Sequence, residues 1–522
     1  MDINHEIEHY DPDVPFRACS GYKHHTWAKT FHSYPEYYIQ PRSIEELRKT
    51  IILARKCRRH ITVTGCSHSP SDLTCTSSWL VNIDNLDQVL DMDEETGVVQ
   101  VQSGIRLHDF GSKLGEVGLA MPNLGSIDHQ SIAGAISTAT HGSSLQHGLL
   151  SRSVLALKIM LADGTIASCS KEDNLDLFRA SLVSLGAIGI ITEITFQAVP
   201  AFNIEWARRV LPLSEVLGKW DGDLWNAGEF TRIWWMPYAK QCVIWSANKT
   251  TKPLRPPPNE FMAGKLGYHI YQALLYISNW VSPLVPLLER LLYKSQEGKT
   301  TTAVANGHSG LLMNCFFSQF VNEWAIPLNK GPEALSRLSR WLNGEEESGI
   351  PFSSKGLFVH APIEVRITDS TSTKPRPYLD NTVSDGPTLY LNATLYRPYL
   401  ADPPCRARYY EAFEWLMREM GGRPHWAKNF ATITSEDITT MYPEAEDWVR
   451  IRNKLDPDGM FIGDWHRRLF LLGRQLPLEE RLYQSKSAWA GGTHWYGTMD
   501  NGKPSPQGSD ESFDLVDAEI KA

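Results

Sequence analysis

The sequence predicts an α+β protein of at least two domains. Three observations predict it. The chain has 522 residues, whereas one hydrophobic core rarely grows past about 250–300 residues. Helix and strand signals alternate from about residue 43 to 200. From about residue 205 tryptophan and proline become frequent, which marks a second domain of different make-up.

Residues 1–20 read as a loose leader. Ser43 with Glu46 reads as a capping box, and Ile44, Leu47, Ile51 and Ala54 follow at helical spacing. The strand Ile61–Thr64 ends at Gly65, and further strands are expected at Leu80–Ile83 and Val98–Gln102. A helix near 106–117 precedes a Gly- and Ser-rich stretch at 125–144, and strands follow at 154–161 and 188–198. Pro253–Pro258 reads as an exposed connection. A helical pattern at 405–420 precedes Pro424–Lys428, and 447–454 reads as a helix stopped by Leu455-Asp-Pro-Asp-Gly459. Past about 485 the composition predicts disorder.

The formal net charge of −9 argues against a nucleic-acid partner, which would need a basic footprint. The eight cysteines form no CxxC pair, so no structural metal site is expected and a reducing compartment fits. The acidic N-terminus lacks the apolar run of a secretory signal. Residues 266–288 contain no Asp, Glu, Lys or Arg, and Tyr268, Tyr271, Tyr276 and Trp280 suit a membrane interface. Two readings stand for this stretch: contact with a membrane surface, or a buried helix of the second domain. Pro283 and Pro286 weigh against a true span.

Four motifs carry candidate chemistry. In Val63-Thr-Gly-Cys-Ser-His-Ser-Pro-Ser-Asp72 a strand runs into a loop of small residues. Thr64, Gly65, Cys66, Ser67 and Ser69 can bring backbone N–H groups and hydroxyls to a diphosphate, with His68 against the ligand. A solvated Ser-rich turn explains the same residues. In Asn123–Gly142 the small residues include Gly125, Ser126, Gly134, Thr138 and Gly142, with His141 near the end. A run so poor in bulk lies against a ligand or against another backbone.

Glu364 and Arg366 stand two apart in a strand pattern, so both point to one face. They read as a surface ion pair or as substrate-site residues. His425-Trp-Ala-Lys428 reads as a helix end with a snorkelling lysine, or as a cationic site residue beside a histidine. Tyr390, Asn392 and Thr394 alternate along another strand and are weaker pocket candidates.

The first two motifs together resemble the FAD-linked oxidases of the vanillyl-alcohol oxidase type. The Gly65–Asp72 pattern and the Ala139-Thr-His-Gly142 tail are similar to its sugar-lactone branch, that of the gulonolactone, galactonolactone and fungal D-arabinono-1,4-lactone oxidases. The resemblance is strong over about 25–200 and resumes at Glu364–Arg366, His425–Lys428 and roughly 447–470. It implies a two-lobed FAD-binding domain over 21–204, a cap over 205–430 and a return to the FAD domain over 431–475. It implies FAD bonded covalently to His68, with a single link because 121–142 contains no cysteine.

By the same resemblance Gly125 lies beside the reactive flavin edge and, having no side chain, leaves dioxygen access. Arg366 would polarise a lactone oxygen, Glu364 would orient it or accept a substrate hydroxyl, and Lys428 with His425 would face the flavin ring. The implied reaction oxidises an aldono-1,4-lactone to an ascorbate-type product and reduces dioxygen to hydrogen peroxide, as in erythroascorbate synthesis. The implied location is the mitochondrial membrane, on the outer membrane with cytosolic exposure. An alditol oxidase and a catalytically silent membrane flavodomain are the competing readings.

Overall fold

Three main sheets organise the chain beside two two-stranded ones, and the computed structural model describes residues 3–258, 265–294, 298–313, 317–345, 347–360 and 362–471. The tail expected past 485 lies outside the described residues. The first sheet runs in the order Ala18–Cys19, Tyr37–Ile39, Trp79–Asn82, Ile61–Thr64. Its last three strands are parallel, which requires the crossover helix Ile44–Cys57. Ser43 caps that helix by accepting from Glu46 N at 3.2 Å. The return half of the expected capping box is absent. The Glu46 carboxylate accepts from Arg42 N at 2.8 Å and pairs with Arg17 instead.

The second sheet is antiparallel, in the order Ile166–Ser170, Val154–Met160, Ile190–Gln197, Val98–Gln102, Val89–Asp93. The third has eight strands: Thr300–Asn306, Asn203–Pro212, Gln241–Thr250, Phe230–Met236, Ile363–Thr368, Thr388–Tyr396, Gln319–Pro327 and Arg423–Pro424. Expected helices appear at Leu107–Glu116, Arg406–Glu419 and Ala445–Leu455. The leader carries a helix of its own, Ile3–His9, and the chain after it is fixed by Lys49, which donates to the carbonyls of Asp11 and Val14 at 2.9 and 2.8 Å.

After the third sheet the chain returns to the first lobe. Ile61 N donates to Met460 O at 2.8 Å, and Arg468 pairs with Asp72 at 3.0 Å. The uncharged stretch at 266–288 forms two helices, Lys265–Trp280 and Leu284–Lys294. Their outer faces expose Leu266, Ile270, Ile277, Trp280, Leu287 and Leu291. Among the described residues no helix is long and apolar enough to cross a membrane.

Candidate active site

Between the first and second sheets lies a groove of about 890 Å³, lined by residues 62–69, by Gln130, Ser131, Gly134 and Thr138, and by residues 184–186. The first motif leaves the Ile61–Thr64 strand and turns at Ser67, whose φ is +55°. Trp27 N holds the turn by donating to Ser67 O at 2.8 Å, and the hydroxyls of Thr64 and Ser67 meet at 2.8 Å. The second motif packs directly on the first. A Cβ at Gly65 would stand 2.5 Å from Ser131 Oγ, so the close approach of the two loops requires glycine there.

The groove fits a dinucleotide. Its wall is made of small residues and hydroxyls, and the buried Gln130 Oε1 has no hydrogen-bond donor among the described residues. A ligand N–H or hydroxyl would satisfy it. Thr64, Gly65, Cys66, Ser67, His68, Ser69, Gly134 and Thr138 all line the groove. Gly142 lines neither cavity. A Cβ there would lie 1.9 Å from Asn123 Oδ1, so loop packing requires glycine at this position.

A second cavity of about 1070 Å³ meets the groove at His68 and Gln130, which line both. His68 stacks on Trp27 at 4.6 Å between ring centroids. Burial, then neighbouring His129 and Lys428, push the His68 imidazole down to about 3. It is therefore neutral at physiological pH, with a lone pair free on one ring nitrogen. Gly125, Ser126, His141, Glu364, Arg366, His425 and Lys428 line this second cavity, together with Asn392 and Thr394.

The register of the large sheet brings these groups together. Asn392 is directly opposite Glu364 on one side and Glu323 on the other, and Arg366 is opposite Tyr390. Residues directly opposite share a face, so this face carries a row of polar side chains. Arg366 donates through Nη2 to Glu323 Oε1, and its Nε lies 3.6 Å from Glu364 Oε2. Asn392 Nδ2 donates to Glu364 Oε2 at 3.3 Å, and its Oδ1 accepts from Thr394 Oγ1 at 3.0 Å. Lys428 Nζ lies 3.8 Å from the other oxygen of Glu323.

Glu323 is the hub of this network and is fully buried. Burial raises its carboxyl, but Arg366, His141 Nε2 at 3.5 Å and the charge of Lys428 outweigh that and hold it well below the usual range. Burial disfavours the Arg366 cation, and Glu323 with Glu364 reverses this, so its charge is secured. His141 stacks on Tyr390 at 3.4 Å, and burial with Arg366 alongside lowers it to about 4. His425 is likewise neutral through burial, and its Nδ1 accepts from Ala427 N at 3.2 Å.

The motif around Lys428 is a turn and not a helix end. Lys428 N donates to His425 O, and Trp426 anchors the turn by donating to Leu379 O at 2.8 Å. Glu364–Arg366 is likewise no surface pair, since its strand has neighbours on both sides. The sequence did not single out Glu323, Arg232, Trp27 or Gln130. Glu323 and Arg232 share one signal, a lone charge inside an apolar strand run, Phe-Val-Asn-Glu-Trp-Ala-Ile and Phe-Thr-Arg-Ile-Trp-Trp. Such a charge is buried at a cost and is rarely there without a partner. Arg232 Nη1 and Arg366 Nη1 both reach Ser126 Oγ at 3.4 Å.

The fold and the groove define an FAD-dependent oxidoreductase. Residues 35–170 match the FAD binding domain family, and residues 194–469 match the D-arabinono-1,4-lactone oxidase family. A Yarrowia lipolytica D-arabinono-1,4-lactone oxidase is 38% identical, covering 84% of this chain and 95% of its own. A Neurospora crassa protein provisionally given the same name is 50% identical over 90% of both chains. An L-gulonolactone oxidase from Scyliorhinus torazame is 33% identical over 87% of this chain and 99% of its own. Cholesterol oxidase from Brevibacterium sterolicum shares the fold at a TM-score of 0.73 and 16% identity, covering 90% of this chain and 98% of that one. The chain belongs to the D-arabinono-1,4-lactone oxidase family.

Proposed function

We propose that this chain oxidises D-arabinono-1,4-lactone, or a close aldono-1,4-lactone, to an ascorbate-type enediol, with FAD tethered covalently through His68. The observation that carries the reading is the polar row of Arg366, Glu364, Asn392 and Lys428, set in a cavity that opens onto the groove at His68. FAD, held along the groove by Thr64–Ser69, Gly134 and Thr138, would supply the two-electron acceptor, with dioxygen as the terminal acceptor that yields hydrogen peroxide.

The residues of the chain do the rest. Arg366 is held from two sides by Glu323 and Glu364, so its guanidinium is fixed before a ligand arrives. A fixed cation polarises a lactone oxygen without reorganising during the reaction. Glu364 offers a carboxylate oxygen to a substrate hydroxyl and takes its proton as the adjacent carbon is oxidised. Asn392 and Arg366 hold that carboxylate in place. Lys428 places positive charge at the cavity where negative charge develops. The neutral His68 nitrogen suits a covalent bond to the flavin ring. The absent side chain at Gly125 leaves a path for dioxygen at the cavity wall.

We further infer that the protein sits on a mitochondrial membrane with its catalytic cavity toward the cytosol. The apolar outer faces of the two helices at 265–294 support a surface contact.

A peroxide assay on a panel of aldono-1,4-lactones and open-chain alditols tests the reaction. Turnover of D-arabinono-1,4-lactone is expected. Preference for an alditol would move the enzyme to the alditol-oxidising class. No turnover of any member, with FAD bound, would defeat the catalytic reading.

A further inference from the structure

Beside the catalytic cavity, at the seam between the FAD lobes and the cap, stand His108, Asp128, His129 and His308. His108 opens the helix Leu107–Glu116, Asp128 and His129 belong to the second motif, and His308 comes from the short helix Gly307–Leu311 of the cap. One ligand atom from each of His108, Asp128 and His129 lies within 4.8 Å of the other two. His308 Nε2 meets Asp128 Oδ2 at 2.9 Å.

The backbone fixes this arrangement. Leu107 N donates to Gln130 O at 2.9 Å and His108 N to Asp128 O at 3.0 Å. Arg106 Nη1 donates to His129 O at 3.0 Å. The helix start and the loop therefore cannot move apart independently. His308 fills a slot made by Gly111, where a Cβ would stand 2.3 Å from its ring. His108 and His129 are exposed, so an ion can reach them. His108 Nε2 lies 3.2 Å from Asp109 Oδ1 and Nδ1 3.4 Å from Asp128 O, contacts that a bound ion would replace at one nitrogen.

We propose that His108, Asp128 and His129 form a binding site for a borderline-soft divalent ion such as Zn²⁺, with His308 orienting the carboxylate. Two imidazoles and one carboxylate are a donor set that zinc accepts, leaving a fourth position for water. Ligands about 2.0–2.1 Å from such an ion lie roughly 3.3 Å apart, so closure needs only side-chain rotation. A hydrogen-bonded partner behind a ligand, here His308 behind Asp128, is the usual outer support of a metal ligand. The buried trio His141, Glu323 and His425 has comparable spacing, but Arg366 and Lys428 already neutralise its carboxylate and would repel a cation.

The site is coupled to the catalytic cavity through its own loop. Ser126, two residues before Asp128, receives Arg366 and Arg232, and its carbonyl receives Met313 N at 2.8 Å. Ile127 and Gln130 line the cavity. His129 lies parallel to His68 at 6.0 Å. An ion on Asp128 and His129 therefore rests against the loop that holds the arginine side of the active site.

The test is metal titration of the flavin-loaded full chain without a polyhistidine tag. Calorimetry with Zn²⁺ should give one saturable equivalent. Co²⁺ should give the visible absorption of a four-coordinate nitrogen and oxygen site. His108→Ala and His129→Ala, each checked for unchanged flavin absorbance, should lose that equivalent. His308→Ala should weaken it by about 10–100-fold while keeping the Co²⁺ spectrum. Absence of saturable binding in the wild-type protein would overturn the proposal. So would binding that survives both His108→Ala and His129→Ala, which would place the ion elsewhere in the chain.

Discussion

Glu323 and Arg366 form an ion pair that spans the strand between them, Thr388–Tyr396, with Glu323 fully buried and Arg366 nearly so. Arg366 lines the cavity with Glu323 behind it, and Arg366 has a second carboxylate at Glu364. The two ends therefore serve different ends. Removing Glu323 leaves a buried guanidinium without its main counter-charge, which costs about 3–5 kcal/mol. Glu323→Ala should lower the urea midpoint of the flavin-loaded protein accordingly. Arg366→Lys keeps a cation but loses the fork that grips two carboxylates. It should fold and bind flavin, and reduce its flavin about 10²–10³-fold more slowly under anaerobic stopped flow. Normal reduction in that variant would remove Arg366 from catalysis.

Gly125 allows packing and oxygen access to be told apart. A Cβ there would stand 3.2 Å from Thr140 Cγ2, a contact that a small shift relieves. Gly125→Ala should slow peroxide formation much more than reduction of an artificial acceptor. Thr140→Ser removes the methyl that the new Cβ would meet. If adding it to Gly125→Ala restores peroxide formation, the defect was crowding; persistence of the defect is the expected result.

The covalent tether has a direct readout. Denatured wild-type protein should carry yellow-fluorescent flavin into a gel, and His68→Ala should not. Trp27, stacked on His68, positions the imidazole, so Trp27→Ala should lower the covalently loaded fraction without abolishing FAD binding. Flavin washing out of the denatured wild type would end this assignment.

Much of the site was legible in the sequence because its residues fall in compact motifs. His68 and its neighbours share one turn, and Glu364 with Arg366 shares one strand face. Glu323 shows in the sequence only as a lone charge in an apolar strand run, because its role depends on register. Only pairing with Thr388–Tyr396 sets it opposite Asn392, across from Glu364. The same holds for Gly142, which reads like the other small residues of its motif but meets Asn123. Long-range register, unlike local composition, is a property of the assembled sheet. The helix pair at 265–294 was legible as an apolar stretch, but its division at Ser282–Pro283 and its exposed face emerge only in three dimensions.

That face gives a prediction of its own. Trp280, Leu266 and Leu291 are 79%, 65% and 65% exposed, which is unfavourable in water and favourable at a lipid surface. Trp280→Glu with Leu291→Glu should shift the protein from the membrane pellet to the supernatant with flavin still bound. A wild-type protein that never sediments with membranes or vesicles would remove the membrane contact from the proposed function.

The same helix pair is tied to the large sheet by a carboxylate whose protonation sets its stability. Glu289, in the helix Leu284–Lys294, accepts from Tyr238 N at 2.6 Å and Ala239 N at 2.7 Å. Burial pushes its carboxyl up to about 7, while the two backbone donors and Arg290 pull the other way. Tyr271, Tyr293 and His360 face it across a small cavity, and burial keeps His360 neutral by lowering it to about 4. The folded protein thus holds a proton at Glu289 that the unfolded chain releases near 4.5. Between that value and about 7 the folded state binds more protons, so stability falls as pH rises through this window. Glu289→Gln keeps a carbonyl acceptor for both backbone donors and carries no charge. It should match the wild type below pH 4.5, gain steadily above it, and level off above about pH 7, by at most about 3 kcal/mol. Urea unfolding of both proteins at pH 4.5, 6 and 8 reads this directly. Parallel stability curves would mean that Glu289 is already ionised in the folded state and that its two backbone donors outweigh its burial.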